Sequence, residues 1–229
     1  MGEQVFIDLE KKQIHLKEQN VTIDWLQHII HYRNIENVLR HGILSHNEAY
    51  KRNLIQRDIS MQEVQERRKM IPFVNGFPNF KYSIHDLASL YFFARNPMLY
   101  KRKDISQELA IIIVNPLILN CQPNNEKFAI FSDGNVASNK TCLYIGVHNL
   151  HKVDWENVYT DSWFHTDPEI KRELSRKICA EVLVYPRIEV EDIMRIWCGS
   201  EMVYEHCQVV MEKLNINYIE AFPFPEFFF

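Results

Sequence analysis

One acidic residue opens a short apolar segment, Glu181-Val-Leu-Val-Tyr185. The segment has the length and composition of a buried strand. A carboxylate buried at its start would be costly unless it were paired. The position therefore suggests a strand that ends at a cleft, where a carboxylate can serve acid–base or charge-stabilising chemistry. The alternative is an exposed glutamate at a junction between a helix and a strand.

Two adjacent arginines, Arg67 and Arg68, lie in a predicted helix. Ser60-Met-Gln-Glu63 has the spacing of a capping box and predicts the start of that helix. A guanidinium can bind paired anionic oxygens with two parallel hydrogen bonds. The alternative is that both arginines belong to a solvated helix face.

An aromatic stretch, residues 84–100, combines a strand-like half with a polar end. Its apolar run, Leu87 to Ala94, has strand length, and Arg95-Asn-Pro97 interrupts it. A strand that delivers a guanidinium and several aromatic rings to its end could form the wall of a polar ligand site. Plain hydrophobic core is the alternative.

Several classes of site are excluded by motif. The chain has neither standard glycine-rich phosphate loop and no GxSxG. It also lacks HExxH and any Cys/His pairing at zinc spacing; His28 and His31, at i and i+3, come nearest to a ligand pair. We therefore predict no metal site.

The cysteines and the N-terminus favour a cytoplasmic protein. The five cysteines are an odd number and contain no CxxC pair. No basic region followed by an apolar one opens the sequence, so no secretory signal is predicted. No apolar run approaches the ~20 residues that span a membrane. We expect reduced thiols, a cytoplasmic location and no membrane partner.

The composition fits one globular domain of 229 residues, 46% of them hydrophobic. The formal net charge is −4 and the sequence pI about 6.2, so any binding of nucleic acid would depend on a local cleft. Strands and helices without regular alternation predict an α+β fold. Residues 1–20 are interpreted as an N-terminal appendage, and 21–229 as the domain. The predicted strands are 22–31, 87–94, 108–114, 128–131, 181–185, 193–197 and 218–222; the predicted helices are 35–40, one after Ser60, 168–178 and one from Ser200 through Leu214.

Six short motifs, in one order and at compatible spacing, resemble those of DarT-type ADP-ribosyltransferases. The resemblance spans roughly residues 25–200. It rests on His28-Ile-Ile-His31 with Asn34-Ile35 and Val38-Leu-Arg-x-Gly42, on Gln65-Glu-Arg-Arg68, on His85-Asp86 with Tyr91-Phe92 and Arg95-x-Pro-Met-Leu-Tyr100, on Phe131-Ser-Asp133, on Asp154-Trp155 and Trp163, and on Ala180-Glu-Val-Leu-Val184.

The resemblance implies a single ADP-ribosyltransferase-like domain with a split mixed β-sheet around an NAD cleft. It implies transfer of ADP-ribose from NAD onto a base of single-stranded DNA, with release of nicotinamide. It further implies a toxin of a toxin–antitoxin or phage-defence system, paired with a macrodomain-type antitoxin. Modification of RNA bases or of a protein side chain, and a non-catalytic nucleic-acid-binding module, remain alternatives.

Position by position, the resemblance assigns site residues. It implies that Glu181 and Arg68 are catalytic. Glu181 would hold the ribose hydroxyl, stabilise the oxocarbenium-like centre and help to remove a proton from the attacking nitrogen. It implies NAD binding by His28, Ile30, Asn37, Arg68, Tyr91 and Met98, and nucleic-acid binding by Arg95, Asn135 and Tyr91.

Three departures from the family pattern are visible. The family's His-x-Thr triplet reads His28-Ile-Ile30, which lacks a hydroxyl near the cofactor. The proline-rich approach to the arginine reads Phe93-Ala-Arg95. Gly134-Asn135 stands where the family has a basic or histidine residue. The last two put the target base and the sequence preference in doubt.

Overall fold

A computed structural model describes residues 5–70, 82–121 and 126–229. Within these ranges the chain forms thirteen strands and seven α-helices, joined by short 3₁₀ turns. The strands are β1 Val5–Asp8, β2 Gln13–Leu16, β3 Val21–Ile23, β4 Leu26–His31, β5 Ile43–Leu44, β6 Ala88–Tyr91, β7 Leu109–Val114, β8 Phe128–Ser132, β9 Leu143–Ile145, β10 Glu181–Tyr185, β11 Arg187–Ile188, β12 Ile193–Cys198 and β13 Glu220–Pro223. The helices are α1 Ile35–His41, α2 His46–Lys51, α3 Gln62–Lys69, α4 Pro97–Tyr100, α5 Trp155–Val158, α6 Pro168–Lys177 and α7 Glu201–Leu214. The 3₁₀ turns are Tyr32–Asn34, Ile84–Asp86, Lys103–Glu108, Pro116–Asn120, Val147–Lys152, Val190–Asp192 and Pro225–Phe227.

A mixed sheet of eight strands forms the centre of the molecule, in the order β13-β12-β7-β4-β6-β10-β8-β9. The β12–β13 pair is parallel and the other pairs of this sheet are antiparallel. The predicted α+β fold with a mixed sheet is therefore confirmed.

The sheet is split between β4 and β6. These strands share one register pair, Gln27 opposite Tyr91. Just beyond that pair, the His28 ring hydrogen-bonds the Ser89 carbonyl across the gap at 2.9 Å. By contrast, β4 pairs with β7 over six positions. The two halves of the sheet thus diverge at the point where His28 and Ser89 stand.

The core lies on both faces of this sheet. All six residues of β7 are buried, as expected for a strand covered on both faces. The long helix α7 begins at Ser200, whose hydroxyl accepts from the Val203 N–H, and it buries Val203, Cys207, Val210 and Met211. The predicted final helix is confirmed at both ends.

The N-terminal strands form a small separate sheet, β1-β2-β3. Ile14 and Leu16 of β2 are fully buried and belong to the main hydrophobic cluster, together with Ile23. The boundary at residue 20 stays a prediction, but apolar residues on its N-terminal side are part of the main core.

Several predicted elements differ in detail. The predicted strand 22–31 is two strands, β3 and β4, and the predicted strand 87–94 ends at Tyr91. The connection 45–57 contains α2, capped by Ser45, whose hydroxyl accepts from the Glu48 N–H at 3.2 Å. Helix α2 was not predicted because none of its residues is buried, so no apolar period marks it.

The capping box predicted at Ser60 is wrong. Helix α3 begins at Gln62 after Met61, and no side chain caps it. Ser60 instead belongs to the preceding turn: its N–H donates to Asp58 Oδ1 at 2.7 Å and its carbonyl accepts from Arg102. A capping box does form at Ser83, with Asp86. By contrast, the Asp167-Pro168 start of α6 is confirmed, with Asp167 accepting from the Glu169 N–H at 2.7 Å.

Among the described residues, no helix is long and apolar enough to cross a membrane.

Candidate active site

Glu181 is the first residue of β10, the strand between β6 and β8. It stands directly opposite Tyr91 of β6 and is only 2% exposed. The exposed-glutamate interpretation is therefore wrong, and the apolar strand does deliver a buried carboxylate to its end.

Three donors hold the Glu181 carboxylate. Oε2 accepts from the Arg68 guanidinium, with which it forms an ion pair, and from Ser89 Oγ at 3.1 Å. Oε1 accepts from the Val136 backbone N–H at 3.2 Å. These partners satisfy the requirement that a buried charge be paired and hydrogen-bonded.

The backbone of Glu181 is fixed as well. Its N–H donates to Ser132 Oγ at 2.9 Å, at the end of β8. Ser132 in turn donates to the Gly134 carbonyl at 2.6 Å. The main chain and the carboxylate of Glu181 are thus both held by the segment that leaves β8.

Arg68 reaches the carboxylate from the last turn of α3. Its side chain is 12% exposed, while that of the neighbouring Arg67 is solvent-exposed. The solvated-face interpretation of the arginine pair therefore applies to Arg67 only.

His28 is held as a neutral ring. Its Nδ1 lies 2.9 Å from the Ser89 carbonyl, an acceptor, so Nδ1 carries the proton and Nε2 keeps a lone pair. Burial lowers the pKa of His28 below its ordinary value, and the bond to Ser89 opposes this only in part. Burial, followed by the Glu181 charge, raises the pKa of Tyr91, which keeps the phenol protonated. Ser89 therefore serves two neighbours, its hydroxyl binding Glu181 and its carbonyl binding His28.

A cavity of about 400 Å³ opens beside this group, within the usual range for small-ligand sites. Of the nine predicted site residues, seven line this cavity. Glu181 is not among them, but it bonds to the lining residues Arg68 and Ser89. The lining includes His28, Ile30, Asn37, Arg68, Tyr91, Met98 and Asn135. The Asn37 amide is engaged there, since Nδ2 donates to the Leu54 carbonyl at 2.6 Å.

Arg95 does not line this cavity. Its Nε donates to the Phe227 carbonyl at 3.2 Å, and its guanidinium carbon lies 4.3 Å from the centre of the Phe229 ring. The structure thus ties Arg95 to the C-terminal aromatic segment, while Pro97 and Met98 of the same stretch line the cavity. Its assignment to nucleic-acid binding stays a prediction that this position does not support.

Several lining residues were not assigned to the site from the sequence, although His85 belongs to one of the motifs. The rings of His46 and His85 are tilted by 35° to each other, with centres 4.6 Å apart. Burial lowers both pKa values, that of His85 to about 4. Ser89 could have been predicted from the sequence, because it lies two residues before Tyr91 on one strand and so shares its face. The role of the Val136 N–H could not, because a backbone donor is present at every position except proline.

Three residues of the cavity lining carry unpartnered polar atoms. Among the described residues, Gln65 Oε1, Arg68 Nε and His85 Nε2 are buried without a hydrogen-bond partner. Buried polar groups are normally satisfied, so three such atoms on lining residues are consistent with a polar ligand. No three His, Cys, Asp or Glu side chains within the described ranges are grouped to hold a metal ion.

The chain is similar to several known proteins. A family model described as "ssDNA thymidine ADP-ribosyltransferase, DarT" matches residues 27–229. A DNA ADP-ribosyl transferase–DNA ADP-ribosyl glycohydrolase fusion protein of Thermosipho africanus is 29% identical over 210 residues, which cover 89% of this chain and 49% of the fusion protein. The chain thus spans about half the length of this curated relative.

Two solved structures share the fold. Thermus sp. 2.9 DarT in complex with ADP-ribosylated ssDNA superposes with a TM-score of 0.75 at 21% identity, covering 99% of this chain and all of the other. Thermosipho africanus DarTG in complex with ADP-ribose gives a TM-score of 0.69 at 26% identity, covering 90% of this chain and 51% of that one.

Proposed function

The chain belongs to the family of DarT single-stranded-DNA thymidine ADP-ribosyltransferases, and from this premise we propose that it transfers ADP-ribose from NAD onto a base of single-stranded DNA. Nicotinamide is the second product. The family resemblance drawn from the motifs is confirmed by the match over residues 27–229.

The observation that carries this proposal is the Glu181 carboxylate, buried at 2% exposure beside the cavity and held by Arg68, Ser89 and Val136. Loss of nicotinamide leaves positive charge on the ribose, as in glycoside cleavage. A fixed carboxylate in a site shielded from water stabilises such charge better than it would in solution. Because Glu181 is held before the substrate arrives, it need not reorganise during the reaction.

The cavity residues fit NAD as the co-substrate. The cavity's volume of about 400 Å³ and the three unpartnered polar atoms of its lining residues suit a large polar ligand. His28 offers a lone pair on Nε2 for a hydroxyl donor of the ligand. Ile30, Asn37, Tyr91 and Met98 would complete the binding surface.

Arg68 has two tasks in this scheme. It neutralises Glu181, and it leaves Nε without a partner among the described residues, free for an anionic oxygen. A guanidinium is suited to such shared contacts because its five donors lie in one plane. Arg68 therefore links the carboxylate to the cofactor side of the cavity.

The acceptor base would enter from the side of Met98 and Asn135, both in the cavity lining. A base nitrogen is a weak nucleophile, so its position and the removal of its proton must supply much of the rate. Glu181 would take that proton. The family description makes thymine the expected base, and single strands suit the reaction because their bases are already unstacked.

The relative from Thermosipho africanus fuses a transferase with a DNA ADP-ribosyl glycohydrolase. By analogy, we place this chain in a toxin–antitoxin pair whose antitoxin, of macrodomain type, removes the modification. NAD and DNA meet in the cytoplasm, which is the location we propose.

The test is incubation of the chain with NAD and, separately, single-stranded DNA, RNA and a protein extract. Mass spectrometry of the nucleosides should show one ADP-ribosylated DNA base, with nicotinamide released in equal amount. Modification confined to RNA or to protein would contradict the proposal. So would the absence of both nicotinamide release and any change in thermal stability at millimolar NAD.

A further inference from the structure

A loop of residues 132–142 joins β8 to β9 and is fastened to helix α6 by one side chain, Arg176. Its Nη1 donates to the Asp133 carbonyl at 3.3 Å, to Asp133 Oδ1 at 3.1 Å and to Thr141 Oγ1 at 3.2 Å. The other edge of the guanidinium binds Glu173, with Nη2 to Oε1 at 2.7 Å. Arg176 thus connects the two ends of the loop, and Glu173 fixes the orientation of the Arg176 guanidinium.

The backbone of the loop is fitted to the same residue. The Asn135 N–H donates to the Arg176 carbonyl at 2.9 Å. A Cβ on Gly134 would lie 2.4 Å from Arg176 Nη1 and 2.9 Å from the Arg176 carbonyl oxygen, so only glycine allows this approach. Thr141 completes the arrangement, since its hydroxyl donates to the Asn135 carbonyl at 2.7 Å.

The Arg176 side chain is 11% exposed and makes these bonds within the protein. Bonds of a guanidinium to carboxylates are stronger than those between neutral groups, because both partners are charged. The loop is therefore held by a planar fork whose geometry a lysine cannot reproduce.

Two residues of the loop belong to the candidate site. Asn135 lines the cavity, and the Val136 N–H binds Glu181 Oε1. The opposite oxygen of Glu181 is held by Arg68 and Ser89, which do not depend on the loop. A displaced loop would consequently move the acceptor wall at Asn135 much more than the carboxylate.

From this juxtaposition we infer that Arg176 is a positioning residue that sets the choice of acceptor base, by holding Asn135 at a fixed place in the cavity wall. The inference rests on the proposed function. Arg176 itself lies outside the cavity lining and acts through the loop.

The inference predicts a separation between two measurable steps. Nicotinamide release in the absence of DNA depends on the cofactor side and should stay within about twofold of the unaltered chain. Transfer to DNA depends on the placement of the base, and misplacement by about 1 Å can cost about 100-fold. We therefore expect kcat for transfer to the oligonucleotide to fall and the preference among bases to weaken.

Two substitutions test this without removing the fold. Arg176→Lys keeps the charge and loses the fork, and Thr141→Val removes the bonds to Arg176 and to the Asn135 carbonyl. Thr141→Ser keeps the hydroxyl and should restore the behaviour of the unaltered chain. Arg172→Lys is the matched control, because Arg172 lies one turn earlier on α6, is exposed and bonds only its own helix at the Pro168 carbonyl among the described residues.

The experiment measures transfer from NAD to four oligonucleotides that differ only in one central base, together with nicotinamide release without DNA. For Arg176→Lys and Thr141→Val, the ratio of transfer rates between the best and the second-best base should fall about tenfold, while nicotinamide release is retained. An unchanged ratio, or an equal loss of both activities, would overturn the inference. Absence of transfer by the unaltered chain would instead contradict the proposed function, so the two failures are distinct.

Discussion

The Arg68 guanidinium and the Glu181 carboxylate form an ion pair although 113 positions separate them in the chain. Arg68 comes from helix α3, and Glu181 from a strand in the far half of the split sheet. Both side chains are almost fully buried, so each depends on the other for charge compensation. The pair therefore ties the proposed catalytic carboxylate to the stability of the fold.

Replacement of Glu181 by Gln should remove the chemistry and keep the shape. The amide retains the size of the carboxylate, but it neither stabilises positive charge nor accepts a proton at neutral pH. We expect nicotinamide release and DNA transfer to fall by about 100- to 10,000-fold. Steady-state kinetics give the loss, and circular dichroism verifies the fold. Glu189→Gln makes the same chemical change in a half-exposed ion pair with Arg187 and should leave both rates unaltered.

Arg68→Ala should destabilise the protein, because it leaves Glu181 buried without its cation. Removing one partner of a buried ion pair costs about 3–5 kcal/mol. Arg68→Lys keeps the charge, so it should unfold near the urea midpoint of the unaltered chain but bind NAD more weakly. Chemical denaturation and NAD titration separate the two effects.

The matched control is Arg40→Ala, at an exposed i,i+4 pair with Glu36. Water screens such a pair, so its loss should change the free energy of unfolding only slightly. Equal stability of Arg68→Ala and Arg40→Ala would show that the buried pair does not support the fold.

His85 should make stability depend on pH on the acid side. Burial, His46, Arg68 and Lys69 lower its pKa from 6.5 to about 4, against a smaller opposing effect of Asp86. Below about pH 6.5 the unfolded chain takes up a proton that the folded chain does not, so the free energy of unfolding falls as the pH drops towards 4.

Urea unfolding at about pH 7 and about pH 5 measures this effect. His85→Gln should lose less stability between the two pH values than the unaltered chain does. His46, whose pKa is also lowered, would account for part of the remaining dependence. A pH dependence identical in both proteins would contradict the assignment.

Gly42 and Gly146 offer a comparison of two glycines with the same φ of 78°. Both combine positive φ with extended ψ, a conformation that costs alanine about 1–3 kcal/mol at either position. At Gly42 the new Cβ would also lie 2.1 Å from the Ile188 carbonyl oxygen, whereas at Gly146 it would meet the movable ring of His148. Gly42→Ala should therefore lower the free energy of unfolding clearly more than Gly146→Ala, as measured by urea denaturation. Equal losses of stability would show that the positive φ, and not the contact with Ile188, determines the cost of alanine.

The sequence predicted the elements that carry an apolar pattern. The strand from Glu181 to Tyr185 was placed at both ends, because four of its five residues are buried, an acidic residue opens it and Pro186 follows it. Helix α2 escaped detection because it buries nothing. Local pattern thus reveals an element only as far as that element contributes to the core.

The site was predicted through its side chains and not through its backbone. The cavity brings together His28, Arg68 and Asn135 from distant segments, as the motif order implied. Only the family resemblance distinguished Arg68 from Arg67; the helix pattern could not, because the choice depends on which face of α3 meets β10. Nor could it predict the bond from Val136 to Glu181, which depends on the path of a loop.

The order of the strands in the central sheet has a consequence for synthesis on the ribosome. On one side of the split, β12 adds to β7 and β4 after both have been made. On the other side, β10 lies between β6 and β8 and is made after both. A nascent chain that ends before residue 181 therefore lacks the strand that joins β6 to β8, as well as Glu181 itself. The cavity can close only after about four fifths of these residues have left the exit tunnel. Under the proposed function, the chain would therefore lack its transferase activity throughout most of its translation.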